Sequence, residues 1–561
     1  MREALRRWPA AARARLLRLN VIARLDQRDG LARLADDPDW RRALEASRSG
    51  KRLLIATNTG GHFAIETVDR MLGAALTLRG AAVTHVLCDA ALPACQMCEF
   101  NLTPDVEALA RNGPDKLLCG YCHAPAEARL RALGLDVVQL GGALSETDRA
   151  EARALAESVK RGAVAQLAWR GVAIGEHAMA GALRFFARSD LDNQPFGEAV
   201  LRRYVEASAL TAAAYMKLID ELQPEVVVAH HGIYAPQGLA VAAAHAKGVR
   251  VVTWNPAYRR HCFIFSHDGS YHYTLMDEPV SAWRDRPLAH AERARIVCYL
   301  DSRRSGEGDW IKFHRDAGAA DVVAALGLDP GKPIIAAYTN VFWDAQLHFP
   351  ANAFASQKDW LERTIAWFTG RPDLQLVIRI HPAEVSGSPP SRQLVSDVIA
   401  ARFPHLPANV RVVGPENTLS SYALAECADA ALIYGTKLGV ELGARGIPVI
   451  VAGEAWVRGK GFTHDATSPE DYEAKLALLP FGKRLDPETQ DLALRYANHF
   501  FFGRMLELPF VEPAPGSRRF RVAIDGAADL APGRWQGLDT ICRGILENAP
   551  FVWDTARESR A

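Results

Sequence analysis

The chain has 561 residues, 49% of them apolar and 23% charged, with a formal net charge of +1. This is the composition of a soluble globular protein, with room for roughly two to four domains that each bury a core. It excludes a strong overall field for nucleic acid or an acidic substrate. No apolar run approaches the ~18 residues of a membrane span, and no signal-type segment opens the chain, so the expected location is the cytoplasm.

Residues 1–50 are rich in Arg, Ala and Leu at helical spacing and read as an amphipathic arm. In "WPAAARARLLRLNVIARL", Leu16, Leu17, Val21, Ile22 and Leu25 share one face, with Arg6, Arg7, Arg13, Arg15 and Arg18 close by. Such a face packs on its own domain or, through residues 1–30, touches an anionic membrane surface from the cytoplasmic side.

From residue 51 to about 300 strand and helix alternate, as in a parallel sheet with crossover helices. "KRLLIAT" is a strand and "AIETVDRMLGAALTLRG" a helix; "AAVTHVLCD" and "DVVQL" are strands. Residues 145–220 read as helices without a clear strand, and "EVVVAHH", "QGLAVAAAHAKG" and "VRVVTWN" resume the alternation. Between the first strand and its helix stands Gly60-Gly61-His62. Glycine supplies the tight turn that such a joint needs. The carboxyl end of a first strand is also where ligands sit in open α/β sheets, and a His there can take a proton near neutral pH. His62 is therefore a candidate general base, in competition with His230 and His231 at the end of "EVVVAHH".

An insert over residues 88–122 holds five of the nine cysteines. Cys95-x2-Cys98 and Cys119-x2-Cys122 are two knuckles separated by twenty residues, a spacing that suits four thiolates on one tetrahedral structural zinc. Cys88 precedes them and gives an alternative, an iron–sulfur cluster. His123, directly after Cys122, makes an awkward fifth ligand. A closed four-thiolate site leaves no open position for catalysis.

Residues 301–480 read as a second α/β unit. "VIRIHPAE" puts Arg379, His381 and Glu384 at a strand end, and "IYGTKLGVELGARG" follows a strand with Gly435, Thr436 and Lys437 at a helix start. Backbone N–H groups there suit an anion. Lys437 adds a cation, and Glu441, one turn on, suits ribose hydroxyls. The alternative is a helix cap at Thr436 and a surface carboxylate at Glu441. Together with His381 the set reads as a nucleotide-sugar pocket. "DLD" at Asp190–Asp192 reads as a turn, so no Asp-x-Asp metal motif stands at a strand end and no catalytic divalent ion is expected. Residues 481–561 read as a mixed, aromatic tail in which "YANHFFFGRMLELPF" is helical.

The segment from about 375 to 465, "LQLVIRIHPAE" through "GKGFTHDA", resembles the capsule polysaccharide biosynthesis family, which includes GT-B-type transferases. The resemblance covers about a sixth of the chain and implies two Rossmann-like doubly wound domains facing a cleft. It also implies that His381-Pro382 contacts a donor phosphate and that Tyr434-Gly435-Thr436 is the donor loop. "NTGGHF" is similar to the first loop of other GT-B enzymes, where Gly-Gly-His presents a base. The expected donor is a CMP-, UDP- or GDP-linked sugar and the expected acceptor a surface glycan or its lipid-linked precursor, on the side of residues 51–300. The Cys-rich insert departs from the best-known members and leaves the sugar open. Alternatives are a UDP-sugar 2-epimerase and a non-catalytic nucleotide- or glycan-binding assembly factor.

Overall fold

A computed structural model describes residues 30–311, 321–344, 352–387, 389–514 and 520–553. Of the expected arm, residues 1–29, which hold nearly all of its expected membrane contact, lie outside these; the rest forms a 3-10 turn, Gly30–Asp36, and a helix, Pro38–Ser47, whose Trp40 is buried. Among the described residues no helix is long and apolar enough to cross a membrane.

The first sheet contains β1 (Arg52–Asn58), β2 (Ala82–Leu87), β3 (Asp136–Gln139), β4 (Val226–His230), β5 (Arg250–Pro256) and β6 (Cys262–His267). The second contains β7 (Ile334–Tyr338), β8 (Gln375–Arg379), β9 (Val410–Val413), β10 (Ala430–Ile433), β11 (Val449–Val451) and β12 (His464–Asp465). A late strand, β13 (Leu506–Glu507), returns to the first sheet. The orders are β13-β6-β5-β4-β1-β2-β3 and β9-β8-β7-β10-β11-β12. This is the expected pair of Rossmann-like, doubly wound units. Each has its first strand at the centre, and the strand order reverses beside it, between β1 and β4 and between β7 and β10.

The second sheet is parallel throughout. In the first, β1 through β5 are parallel, but β5 to β6 and β6 to β13 are antiparallel. Only a few residues join β5 to β6, too few for the crossover that parallel pairing needs. Burial explains the near-continuous apolar runs: every residue of β4, β7, β8 and β10 is buried, as in strands covered by helices on both faces.

Two local expectations differ from what forms. Within the helical stretch 145–220 a small hairpin pairs Ala168–Trp169 with Val172–Ala173. Its two turn residues, Arg170 and Gly171, both have positive φ, as a primed hairpin turn requires. "YANHFFFGRMLELPF" is not one helix. The helix Pro487–Asn498 runs into a π-turn, His499–Gly503, and then into β13, where Leu506 pairs with Phe263 at the sheet edge. An open edge strand offers backbone partners that outweigh a weak helical preference. The last described helix, Gln536–Glu547, packs under the first sheet, and the described course ends at Trp553.

Candidate functional site

A cleft of about 520 Å³ is lined from both sheets and lies across the carboxyl ends of β7, β8 and β10. Its size suits a nucleotide-sized ligand. From the second unit it meets Thr339 after β7, His381 after β8, and the turn Gly435-Thr436-Lys437 after β10. These three strands are neighbours in the sheet, so residues far apart in sequence arrive side by side at the reversal of strand order.

Local bonds fix each of them. The Thr339 hydroxyl accepts the His381 N–H at 3.1 Å, and His381 Nδ1 accepts the Ala383 N–H at 3.0 Å. In the neutral ring that bond places the proton on Nε2, making it a donor. Arg379 is buried; its guanidinium donates to the Gly414 and Asn417 carbonyls, and burial holds its pKa below the usual arginine value. Thr436 and Lys437 precede a helix of only seven residues, Leu438–Ala444.

Two expected donor residues do not face the cleft. Glu441 is wholly buried beneath its wall, where it accepts from Lys437 Nζ at 2.7 Å and from the Tyr422 hydroxyl at 2.6 Å, and pairs with Arg303 Nε at 2.9 Å. Burial opposes its ionisation, but Arg303 and Lys437 outweigh that and hold the carboxyl down at about 2. It is a counter-ion for the cations at the wall, not a group open to ribose. Glu384 is also buried and accepts the Val395 N–H at 2.8 Å; burial raises its carboxyl to about 7.

Sequence inspection missed Tyr258, Tyr271 and His272, which the first unit supplies, and Arg303, which stands at the start of the connection to the second. Lys437 Nζ lies 4.6 Å from the centre of the Tyr258 ring, and Arg303 also pairs with Asp309, which the Tyr299 hydroxyl reaches at 2.7 Å. "YHY" at Tyr271–Tyr273 is the local signal for this wall, a cluster of ring side chains with hydrogen-bonding groups.

The three candidate histidines, treated as rivals in sequence, converge. β1 and β4 are adjacent, and the rings of His62 and His230 lie 6.1 Å apart, those of His230 and His231 5.6 Å, and those of His231 and His272 6.0 Å. His231 and His272 line the cleft, whereas His62 and His230 stand behind them. Burial, and then the Arg184 guanidinium, lower His62 to about 4. Burial, His272 and Arg184 lower His231 to about 3. The row is therefore neutral at pH 7. His231 has φ 62°, a left-handed conformation rare outside glycine, and its Nδ1 is buried without a hydrogen-bond partner among the described residues.

Gly60 and Gly61 serve close packing. A Cβ on Gly60 would stand 2.3 Å from Ala126 Cβ, and one on Gly61 3.2 Å from Cys122 Sγ. Cys88, Cys95, Cys98, Cys119 and Cys122 all line one small cavity behind this turn. Among the described residues no group of three or more Cys, His, Asp or Glu side chains is arranged to hold a metal ion as it stands. The Asp190–Asp192 segment is a turn-like bend in which the Asp192 N–H bonds to Asp190 Oδ1 at 3.1 Å.

No family model and no curated protein matches the chain. Solved structures similar to it include the β-Kdo 2,4 transferase of Thermosulfurimonas dismutans KpsC, at 14% identity over 53% of this chain and 84% of that one, with a TM-score of 0.36. The β-Kdo 2,7 transferase of the same protein matches at 13% identity over 55% and 86%, with a TM-score of 0.31. A UDP-GlcNAc 2-epimerase from Neisseria meningitidis bound to UDP-GlcNAc matches at 12% identity over 80% and 97%, with a TM-score of 0.26.

Proposed function

We propose that the chain is a GT-B-type glycosyltransferase, moving a sugar from a nucleotide-sugar donor to a hydroxyl of a surface glycan acceptor. One observation carries this reading: a single cleft has cations and hydrogen-bond donors on the wall from the second unit and neutral imidazoles on the wall from the first. The donor's phosphates rest on the Gly435-Thr436-Lys437 turn and on His381 Nε2–H. Lys437 and Arg303 neutralise the charge that grows on the leaving phosphate, a role in which preorganised cations act strongly.

His231 is the base, since it forms the wall and its ring is uncharged at neutral pH. It takes the acceptor's O–H proton, the acceptor oxygen bonds to the anomeric carbon, and the nucleotide departs with the electrons of the bond to phosphate. Burial also makes His231 a weak base, so proton transfer follows the loosening of the donor bond. His62 and His230 stand behind His231 and position it. The CMP, UDP and GDP forms of the donor all remain within this chemistry, and the acceptor is a glycan or a lipid-linked sugar.

A thermal-shift panel of CMP, UDP, GDP and their sugars, followed by product analysis, tests the proposal. A ligand that binds only the folded state raises its melting temperature. One nucleotide should stand out, and its sugar should be transferred or slowly hydrolysed. An epimerised nucleotide product would replace this reading with the epimerase one. Binding without any turnover of any sugar would leave a non-catalytic binding protein.

A further inference from the structure

Five of the nine cysteines surround one small cavity of about 20 Å³, together with Thr59, Leu92 and Pro114. The sulfurs come from three places. Cys88 directly follows β2, and its N–H bonds to the Asn58 carbonyl at the end of β1. Cys95 and Cys98 form a tight turn, with Cys98 N–H on the Cys95 carbonyl at 2.9 Å, and the buried Tyr204 hydroxyl donates to both the Cys95 and Cys98 carbonyls at 3.2 Å. Cys119 and Cys122 lie one turn apart on helix Lys116–Ala132.

All five are free thiols. A core that needed only filling would close such a void with branched apolar side chains, because a void forfeits contacts. Among the described residues no carboxylate and no imidazole lines this cavity, and the Thr59 hydroxyl there already accepts from Gln237 Nε2 at 3.1 Å, so sulfur predominates among its donors. Soft thiolates select zinc or iron–sulfur chemistry over magnesium or calcium. The sulfurs ring a cavity instead of converging on a point, so loading draws them inward and releases a proton from each thiol that ligates.

The cavity also touches the Gly60-Gly61-His62 turn, which lies outside the cleft lining and carries the first ring of the histidine row. The Gly61 N–H donates to Cys122 Sγ at 3.1 Å, an N–H···S bond of the kind that orients and tunes a ligating sulfur. With no side chain at Gly60 or Gly61, the turn lies flat on the Cys119–Cys122 helix, and His62 is the next residue.

We infer that this five-cysteine cavity is a thiolate metal centre, holding zinc or an iron–sulfur cluster on four of the five sulfurs, and that through Cys122 it holds the Gly60-Gly61-His62 turn in place. The inference does not depend on the transferase reading, and its test uses neither nucleotide nor turnover.

The full chain, purified anaerobically under reducing conditions, is analysed for metals and acid-labile sulfide. Two results support the centre and identify it: about one zinc per chain without sulfide, or about two to four irons with matching sulfide. Cys95→Ser and Cys122→Ser should each lose most of the metal, whereas Cys298→Ser and Cys427→Ser, which change exposed thiols elsewhere, should keep it. A folded native chain with less than about a tenth of an equivalent of either metal overturns the centre. Should the serine variants fail to fold, the native chain answers the second half. Stripping its metal with a chelator should speed amide hydrogen exchange across residues 59–63, and unchanged exchange in stripped protein overturns the link to the turn.

Discussion

At the carboxyl end of β10 the cleft meets Lys437 over a buried Glu441; across from it, at the carboxyl end of β4, it meets His231, whose nearest ring neighbours are other uncharged groups. Both places are the same place in topology, the crevice where a strand order reverses. At the charged wall buried carboxylates match the cations: Glu441 serves Lys437 and Arg303, and Asp309 also serves Arg303. At the imidazole wall burial is the largest influence on each ring and drives the imidazoles neutral. The fold therefore supplies two equivalent crevices, and counter-ions decide which one presents charge and which presents bases.

The largest break in this comparison is expected at the imidazole wall. His231→Ala should lower turnover by roughly 10²–10⁴-fold, the usual range for general acid–base catalysis, and leave nucleotide affinity intact. His62→Ala should cost less, because His62 stands behind the wall. A variant pair with the reverse ranking would move the base to the end of β1. Because burial holds His231 near 3, turnover should stay flat down to well below pH 6 instead of falling near 6.5.

Next comes the charged wall. Glu441→Gln leaves Arg303 and Lys437 buried with one carboxylate fewer, and removing one partner of a buried ionic set typically costs about 3–5 kcal/mol. Urea unfolding should show that loss. Normal stability combined with lost nucleotide binding would instead return Glu441 to the role of a ribose ligand.

The smallest effect sharpens the comparison from beneath the imidazoles. Trp254, whose ring centre is 5.0 Å from that of His230, donates its indole N–H to Asp69 Oδ1 at 2.8 Å. Burial raises the Asp69 carboxyl to about 7, despite that bond. Its folded pKa exceeds its unfolded value, so the stability it contributes is full at low pH and is lost as pH rises towards 7. Asp69→Asn keeps the acceptor and removes the titration. Relative to the native chain it should gain on the order of 2 kcal/mol between pH 5 and pH 7 and then level off. A difference independent of pH would mean that Asp69 is not the titrating group.

Much of this was legible before any coordinates. Turn chemistry and apolar runs act over a few residues, so the alternation of strand and helix, the loops bearing His381 and Thr436, the Gly-Gly-His joint and the paired Cys-x2-Cys knuckles all follow from local sequence. Burial and partnership act through space. Nothing near Glu441 in sequence announces Arg303 as its partner, so its place beneath the cleft emerged only with packing. The same holds for β6 and β13, whose antiparallel returns depend on a short connection and an open sheet edge. It holds most for the histidines. His62 and His230 lie far apart along the chain, and only the adjacency of β1 and β4 turns two competing candidates into one row. Strand order is decided by the packing of whole helices on whole sheets, a sum over the chain that no short window contains.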